Sequence, residues 1–333
     1  MNVTQLQQQL FLLIKGRISP DASLADEIAA LLNISTDSAY RRMRVEKQIT
    51  FEELYTLCSH YRISLDQLME IQTGSFQFLG NILDSKTFRF DAYLTGVMHN
   101  VAYINSFKEK QFYYLCKDSP IFHHFYFREF AAFKYYFWMS TLIFFPEFRN
   151  KQVDYEEYPD ELFTIGQKIL HMYEEMDSVE IWNVENLNTT MRQIEFYRDG
   201  KMFKSDNDIL KLYESLEKYM DHLEKQAELG YKFKYNDPDR KPMGKFHMYF
   251  NEVVLGDNHM LAVTDGSKIA FIPHSAINII MTRDVTYCDK FHQYLLNLMR
   301  RSTLISEVSE KERSRFFRII KERITRRKES LQL

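Results

Sequence analysis

Helix-start signals crowd the first seventy residues, and that density restricts this end of the chain to a packing of short helices. Leu6, Leu10, Leu13 and Ile14 recur at the spacing of one helical face, and Pro20-Asp21 ends the run. Ser23, with Asp26 three residues on, is placed to cap a second helix whose apolar face is Leu24, Ile28, Leu31 and Leu32. Asn33 follows, and asparagine tolerates the left-handed conformation that a tight turn requires. The third helix is predicted from after Ser35 to about Val45. Thr50-Phe-Glu-Glu53 has the form of a capping box, in which the two side chains satisfy each other's backbone amides. Leu54, Leu57, Cys58 and Tyr61 then form the buried stripe of a fourth helix. Ser64-Leu-Asp-Gln67 repeats the box for a fifth that ends near Met69. The expectation is a compact all-α domain of five short helices over residues 1–70.

At 333 residues the chain exceeds one ordinary domain of roughly 100–200 residues, so two or three are expected. Gly74 and Gly80 mark a linker over 71–85. Residues 86–240 are aromatic-rich and read as mostly helical, with Phe130, Phe133, Phe137 and Trp138 at helical spacing. These rings form either a helical core or, in part, the lining of a ligand pocket. Helices are predicted at 160–176, 186–199 and 208–229. A strand is expected at Val179 to Val184, and Gly230 stands where a helix-ending glycine belongs. Asp206 or Asn207 is the expected cap of the third of these helices.

After Asn236 to Gly244 the periodicity changes. Phe246, Met248 and Phe250 alternate, and Asp265-Gly266 separates two β-rich runs as in a hairpin. Residues 246–283 are therefore expected to hold three or four adjacent strands, followed by a helix at 287–301. Residues 241–333 would form an α+β module, unless 86–333 is one sensing or oligomerisation domain. The fold class is mainly α with a C-terminal α+β module. The basic tail, Lys311 to Lys328, carries Phe316, Ile320 and Ile324 on one helical line. That stripe suits a docked amphipathic helix. A surface contacting phosphates and a narrow-faced membrane helix are the other readings.

Cys58, Cys116 and Cys288 are scattered and odd in number, which fits a reducing cytoplasm and no disulfide or zinc framework. The start, MNVTQLQQQL, lacks the pattern of a signal peptide. The run from Tyr135 to Pro146 is too short for the ~20 residues of a spanning helix. A net charge of −3 gives no global basic field, so any affinity for nucleic acid must be local. The first seventy residues are themselves net −2, from seven Lys/Arg and nine Asp/Glu, yet four basic residues fall between Arg41 and Lys47.

That cluster lies on the predicted third helix. Arginine suits a reading helix because its fork matches both phosphate and the O6/N7 edge of guanine. With the turn at Asn33, the groove-facing positions are Ser35, Thr36, Asp37, Tyr40, Arg41 and Arg44, while Arg42 and Lys47 are assigned to phosphates. Asp37 can accept from a cytosine amino group or simply favour the helix dipole.

The segment IAALLNISTDSAYRRMRVEKQITFEELYTLCSHYRISLDQLM resembles the lambda-repressor/Cro (XRE) helix-turn-helix family, and especially the BetR-type bacterial regulators with their similar YRR segment. Ala29 occupies the small-residue position, Leu32 and Ile34 the buried ones, and ISLDQL the closing helix, over residues 5–70. Asn33 replaces the usual turn glycine, Ala39 is smaller than usual, and Arg42 stands where an apolar residue is common. The resemblance implies sequence-specific binding of double-stranded DNA, usually as a homodimer. KDSPIF (117–122) and EIWN (180–183) are similar to segments of uncharacterised regulators of this kind.

Residues 246–283 with the following helix are faintly similar to the C-terminal half of phospholipase-D-like domains. None of His247, His259, His274 and His292 has the lysine two positions on that this chemistry requires, so such a copy would be catalytically dead. Dinucleotide, P-loop, zinc-protease and hydrolase motifs are also missing from the sequence. Adjacent His123 and His124 make a poor metal pair and are assigned structural roles. No catalytic residue, metal or cofactor is predicted. The sequence reads as a cytoplasmic, dimeric, DNA-binding transcriptional regulator with an unidentified ligand or protein partner at its C-terminal region. The alternatives are a DNA-targeted nucleic-acid-processing enzyme and a protein-binding scaffold.

Overall fold

A computed structural model describes residues 2–15, 18, 23–61, 63–69, 76–80, 87–253, 256–275 and 277–331, except for the side chains of Asp66 and Gln67. The chain divides into two compact units, Met1–Gln77 and Phe78–Leu333. The first contains helices α1 (Val3–Lys15), α2 (Leu24–Leu32), α3 (Thr36–Met43), α4 (Phe51–Tyr61) and α5 (Leu65–Met69). Ser23 and Ser35 cap α2 and α3, and Asn33 takes φ of 53° at the end of α2. Leu10, Phe11 and Ile14 of α1 meet Ile28, Ala39, Leu54 and Leu57 in one core. The break expected at Pro20-Asp21, the glycine at 74 and the Gln67 side chain of the second capping box lie outside the described residues. So does most of the linker expected at 71–85, except 76–80. Within that segment Leu79 forms an antiparallel bridge with Met281.

The second unit is built on a seven-stranded mixed sheet. Its strands are β1 (Lys110–Leu115), β2 (Ser178–Trp182), β3 (Phe246–Phe250), β4 (His259–Thr264), β5 (Ser267–Pro273), β6 (Ile279–Thr282) and β7 (Thr303–Leu304), in the order β6-β5-β4-β1-β2-β3-β7. β4 and β5 form the expected hairpin, with Gly266 at φ of 85° in its turn. The expected adjacency of all the strands in 246–283 fails between β3 and β4, because β1 and β2 lie between them. The centre of the sheet therefore comes from the aromatic-rich region, and strands are drawn from both sides of residue 241. β1, β2 and β3 run parallel, joined by helical crossovers.

Strand alternation sorts the sheet's two faces. Phe112, Tyr114, Trp182, Phe246, Met248 and Phe250 enter the larger core. That core also takes residues from α6 (Phe90–Asn105), α7 (Arg128–Phe137), α8 (Asp160–Glu174), α9 (Asn188–Asp199), α10 (Asp206–Leu229) and α12 (Glu310–Glu329). Leu115, Val179, Ile181, Leu261 and Ala270 form a smaller core with Cys288 and Leu295 of α11 (Val285–Arg300). Ser205, rather than Asp206 or Asn207, caps α10, because its hydroxyl reaches the amide of Asp208. Gly230 ends that helix at φ of 74°.

α12 docks by its apolar stripe, with Phe316, Ile320 and Ile324 fully buried. Its basic residues pair largely within the chain: Arg323 with Glu185, Arg327 with Glu195 and Lys328 with Glu217. Lys321 lies between Asp221 and Glu224. No helix among the described residues is long and apolar enough to cross a membrane.

Candidate nucleic-acid interface

α3 and the residues that flank it present Ser35, Thr36, Asp37, Tyr40, Arg41, Arg44 and Lys47 to solvent. The reversed chain direction behind this face comes from Asn33, whose amide and that of Ile34 bond back to Ala30 and Ala29. Thr36 donates to Asp26 at 3.3 Å, tying the start of α3 to α2. The guanidinium of Arg44 lies 5.6 Å from the centre of the Tyr40 ring, an arrangement in which cation and ring attract. Glu46 approaches the same guanidinium at 3.6 Å, so Arg44 shares its charge with a neighbour while both remain exposed.

Arg42 is placed differently from the phosphate-contacting role expected of it. Its side chain is only 4% exposed and forms a two-pronged pair with Glu53, at 3.0 Å from Nε and 2.5 Å from Nη2. A third bond runs from Nη1 to the carbonyl of Ser38. Helical geometry explains the inward direction. Ala39 and Arg42 are three residues apart and share the face turned to the core, while Tyr40, Arg41 and Arg44 occupy the opposite one. Glu53 has a second task, because it accepts the amide of Thr50 while Thr50 Oγ1 accepts its own. The Arg42 hydrogen bond holds the Glu53 carboxyl below its usual range against the opposing effect of partial burial.

The far end of α3 is fixed by Gln7, whose role the sequence did not announce. This α1 side chain is 2% exposed. Its amide donates to the carbonyls of Arg42 and Lys47 at 2.7 and 2.8 Å, and its oxygen accepts from Ile49 at 3.1 Å. A buried amide serving three backbone groups holds the chain as it leaves the helix. Val45, in the same turn, takes φ of 62°, a costly conformation for a β-branched residue.

The other polar concentration lies inside the second unit. His123 and His124 are both buried, on a 3-10 turn at Ile121–Tyr126. Nδ1 of His123 lies 2.8 Å from the hydroxyl of Tyr219, and its Nε2 lies 3.3 Å from Glu180. Glu180 also accepts from Tyr173 and from the indole of Trp182. Burial pushes the Glu180 carboxyl up, but His123, Tyr173 and Trp182 outweigh it and leave the group below its usual range. His124 bonds Ser119, and burial drives it well below the ordinary histidine value. Lys134 is paired with Asp118 and bonded to Thr190 and Gln193. These groups bond largely to one another beneath the surface, while among the described residues Nδ1 of His124 has no hydrogen-bond partner and Nε2 of His123 has only the approach to Glu180. Among the described residues no group of three metal-ligating side chains comes together.

Comparison of the chain with protein-family models, with curated proteins and with solved structures found no match.

Proposed function

We propose that this protein is a DNA-binding transcriptional regulator of the helix-turn-helix kind, in which α3 enters the major groove. The observation that carries the reading is the division of α3 into two faces. Tyr40, Arg41 and Arg44 are outside, and Arg42 is buried against Glu53. A reading helix must offer donors to base edges without losing its setting. Here the setting comes from Gln7 at one end and Asn33 at the other. Ser35, Thr36 and Asp37 lie at the groove-entering end of the helix, and Lys47 is the remaining phosphate partner. Arg42 drops out of the contact set and becomes part of the support.

In this reading the large second unit is a non-enzymatic sensing or oligomerisation module, and the protein works in the cytoplasm as a homodimer. Two copies would present their α3 helices about 34 Å apart, one turn of DNA. The direct test is binding of purified protein to random duplex DNA across a salt series, with Lys47→Ala as the comparison. Loss of one phosphate contact should lower the slope of log affinity against log salt by about 0.9. Absence of any salt-dependent binding would sink the proposal. Divalent metal is included in a parallel arm, where cleavage of the DNA would favour the enzyme alternative.

A further inference from the structure

We propose that Glu174, Gln226 and Tyr126 form a binding site, in the second unit, for the primary ammonium group of a small organic amine. Acceptors without donors define the place. Oε1 of Glu174 and Oε1 of Gln226 have no hydrogen-bond partner among the described residues, although the two residues are only 3% and 0% exposed. Buried oxygens of this kind are rare, because each gives up its hydration for nothing. Both groups adjoin one hydroxyl. Tyr126 accepts from Nε2 of Gln226 at 3.3 Å, and its own hydrogen bond stabilises the charged form of Glu174. The Gln226 amide is fixed in this sense, since its nitrogen also donates to the carbonyl of Phe233 at 3.0 Å.

The charge here is unbalanced. Glu174 is the last residue of α8, where the helix already carries partial negative charge, and Glu175 follows it. Lys232 is buried, but its ammonium donates to the carbonyls of Tyr173 and Met176 and to the hydroxyl of Ser178, so its three donors are committed. Lys234 is exposed. Burial pushes the Glu174 carboxyl up to about 7, against the pull of Tyr126, Lys232 and Lys234. An ammonium group answers every one of these deficits. It neutralises the carboxylate, suits the negative end of a helix, and has hydrogens to give to both orphaned oxygens. A divalent metal fits poorly, because no group of three His, Cys, Asp or Glu side chains comes together among the described residues.

The surroundings favour an organic ammonium over a bare monovalent ion. The rings of Tyr126, His222, Tyr235 and Phe127 follow one another at centre distances of 4.9, 5.4 and 4.7 Å, and Phe233 lies 4.8 Å from His222. Tyr126 is buried while Tyr235 and Phe127 are partly exposed, so the row leads from the orphaned oxygens to the surface. Aromatic faces attract a cation, and they cover the methylenes that carry it. His222 adds no competing charge at neutral pH, because burial lowers it to about 4. The inference deepens the sensing role proposed for the second unit. It uses no part of α3, so its failure and that of the DNA reading are separable.

The test is calorimetric titration of the full chain, without DNA, with n-butylammonium chloride, tetramethylammonium chloride and potassium chloride at equal ionic strength. n-Butylammonium should bind saturably and at least about tenfold more tightly than tetramethylammonium, which has no N–H to offer the two oxygens. Glu174→Gln keeps the shape of the side chain and should weaken n-butylammonium at least about tenfold, with circular dichroism to check the fold. Tyr235→Ala, at the exposed end of the row, should weaken it about threefold. Absence of saturable n-butylammonium binding would overturn the proposal and leave the oxygens to ordered water. Equal binding of tetramethylammonium or of potassium would overturn it too, as would binding unchanged in a folded Glu174→Gln variant. If that variant does not fold, the three cations compared on wild type and on Tyr235→Ala decide.

Discussion

Replacing Glu53 by alanine removes the partner of a guanidinium that has almost no access to water. Arg42 keeps one bond, to Ser38, and its charge is left in the core. Stranding a buried charge costs about 3–5 kcal/mol. Glu53 is itself 16% exposed, which admits some water once the carboxylate is gone, so about 3 kcal/mol is expected. Replacing Arg42 by methionine should cost far less, about 1 kcal/mol, because it removes the buried charge and keeps most of the volume. It also leaves Glu53 hydrated and still bonded to the Thr50 amide. The assay is hydrogen exchange of the α4 amides in the full chain, where a 2 kcal/mol difference between variants is about thirtyfold in protection. Equal losses in the two variants, or a larger loss for Arg42→Met, would refute the reasoning. The pH dependence has a defined sign. The folded-state pKa of Glu53 is lowered, so the pair's contribution is complete above the ordinary carboxyl range and is lost as pH falls through the folded value. Glu53→Gln should abolish that acid-side dependence.

Gln7→Ala should leave two carbonyls and one amide without their partner and destabilise the turn after α3 by about 1–3 kcal/mol. The loss should appear as faster exchange at Lys47 and Ile49, and unchanged rates there would contradict the clamp. Glu180→Ala should leave His123, Tyr173 and Trp182 without their common acceptor and cost about 3–5 kcal/mol in denaturant unfolding. A near-neutral result would show that water replaces the carboxylate. Phe316→Ala, at a fully buried position against Trp182 and Phe250, should cost about 3–5 kcal/mol. If only α12 loosens while the sheet keeps its stability, the helix is not part of the core.

What the sequence revealed and what it concealed have physical causes. Helix ends were legible because capping is local. The Thr50–Glu53 box and Gly230 after α10 involve residues a few positions apart, although Ser205 displaced the expected cap by one or two residues. The hairpin at Asp265-Gly266 is local in the same sense. Strand β1 was hidden. KQFYYL is buried on both faces at its end, so its pattern merges with the aromatic helices around it. The order of strands could not be read at all, since β1 pairs with β2 and β4 across long stretches of chain. The exposed face of α3 followed from helical spacing, but the direction of Arg42 did not. A basic residue in a basic run looks like a solvent-facing charge until Glu53, assigned only to a cap, is seen to complete the pair. Gln7 gave no signal, because its partners are backbone groups some forty residues away.

The central claim is that α3 reads DNA through its outer face. The most direct measurement is selection of genomic fragments by the full-length protein, repeated with Arg41→Ala and Arg44→Ala together. Each good base contact contributes roughly 1–3 kcal/mol of discrimination, so the double variant should lose site preference by about tenfold or more while keeping its fold. Recovery of the same fragments with the same affinity by wild type and variant would contradict the account.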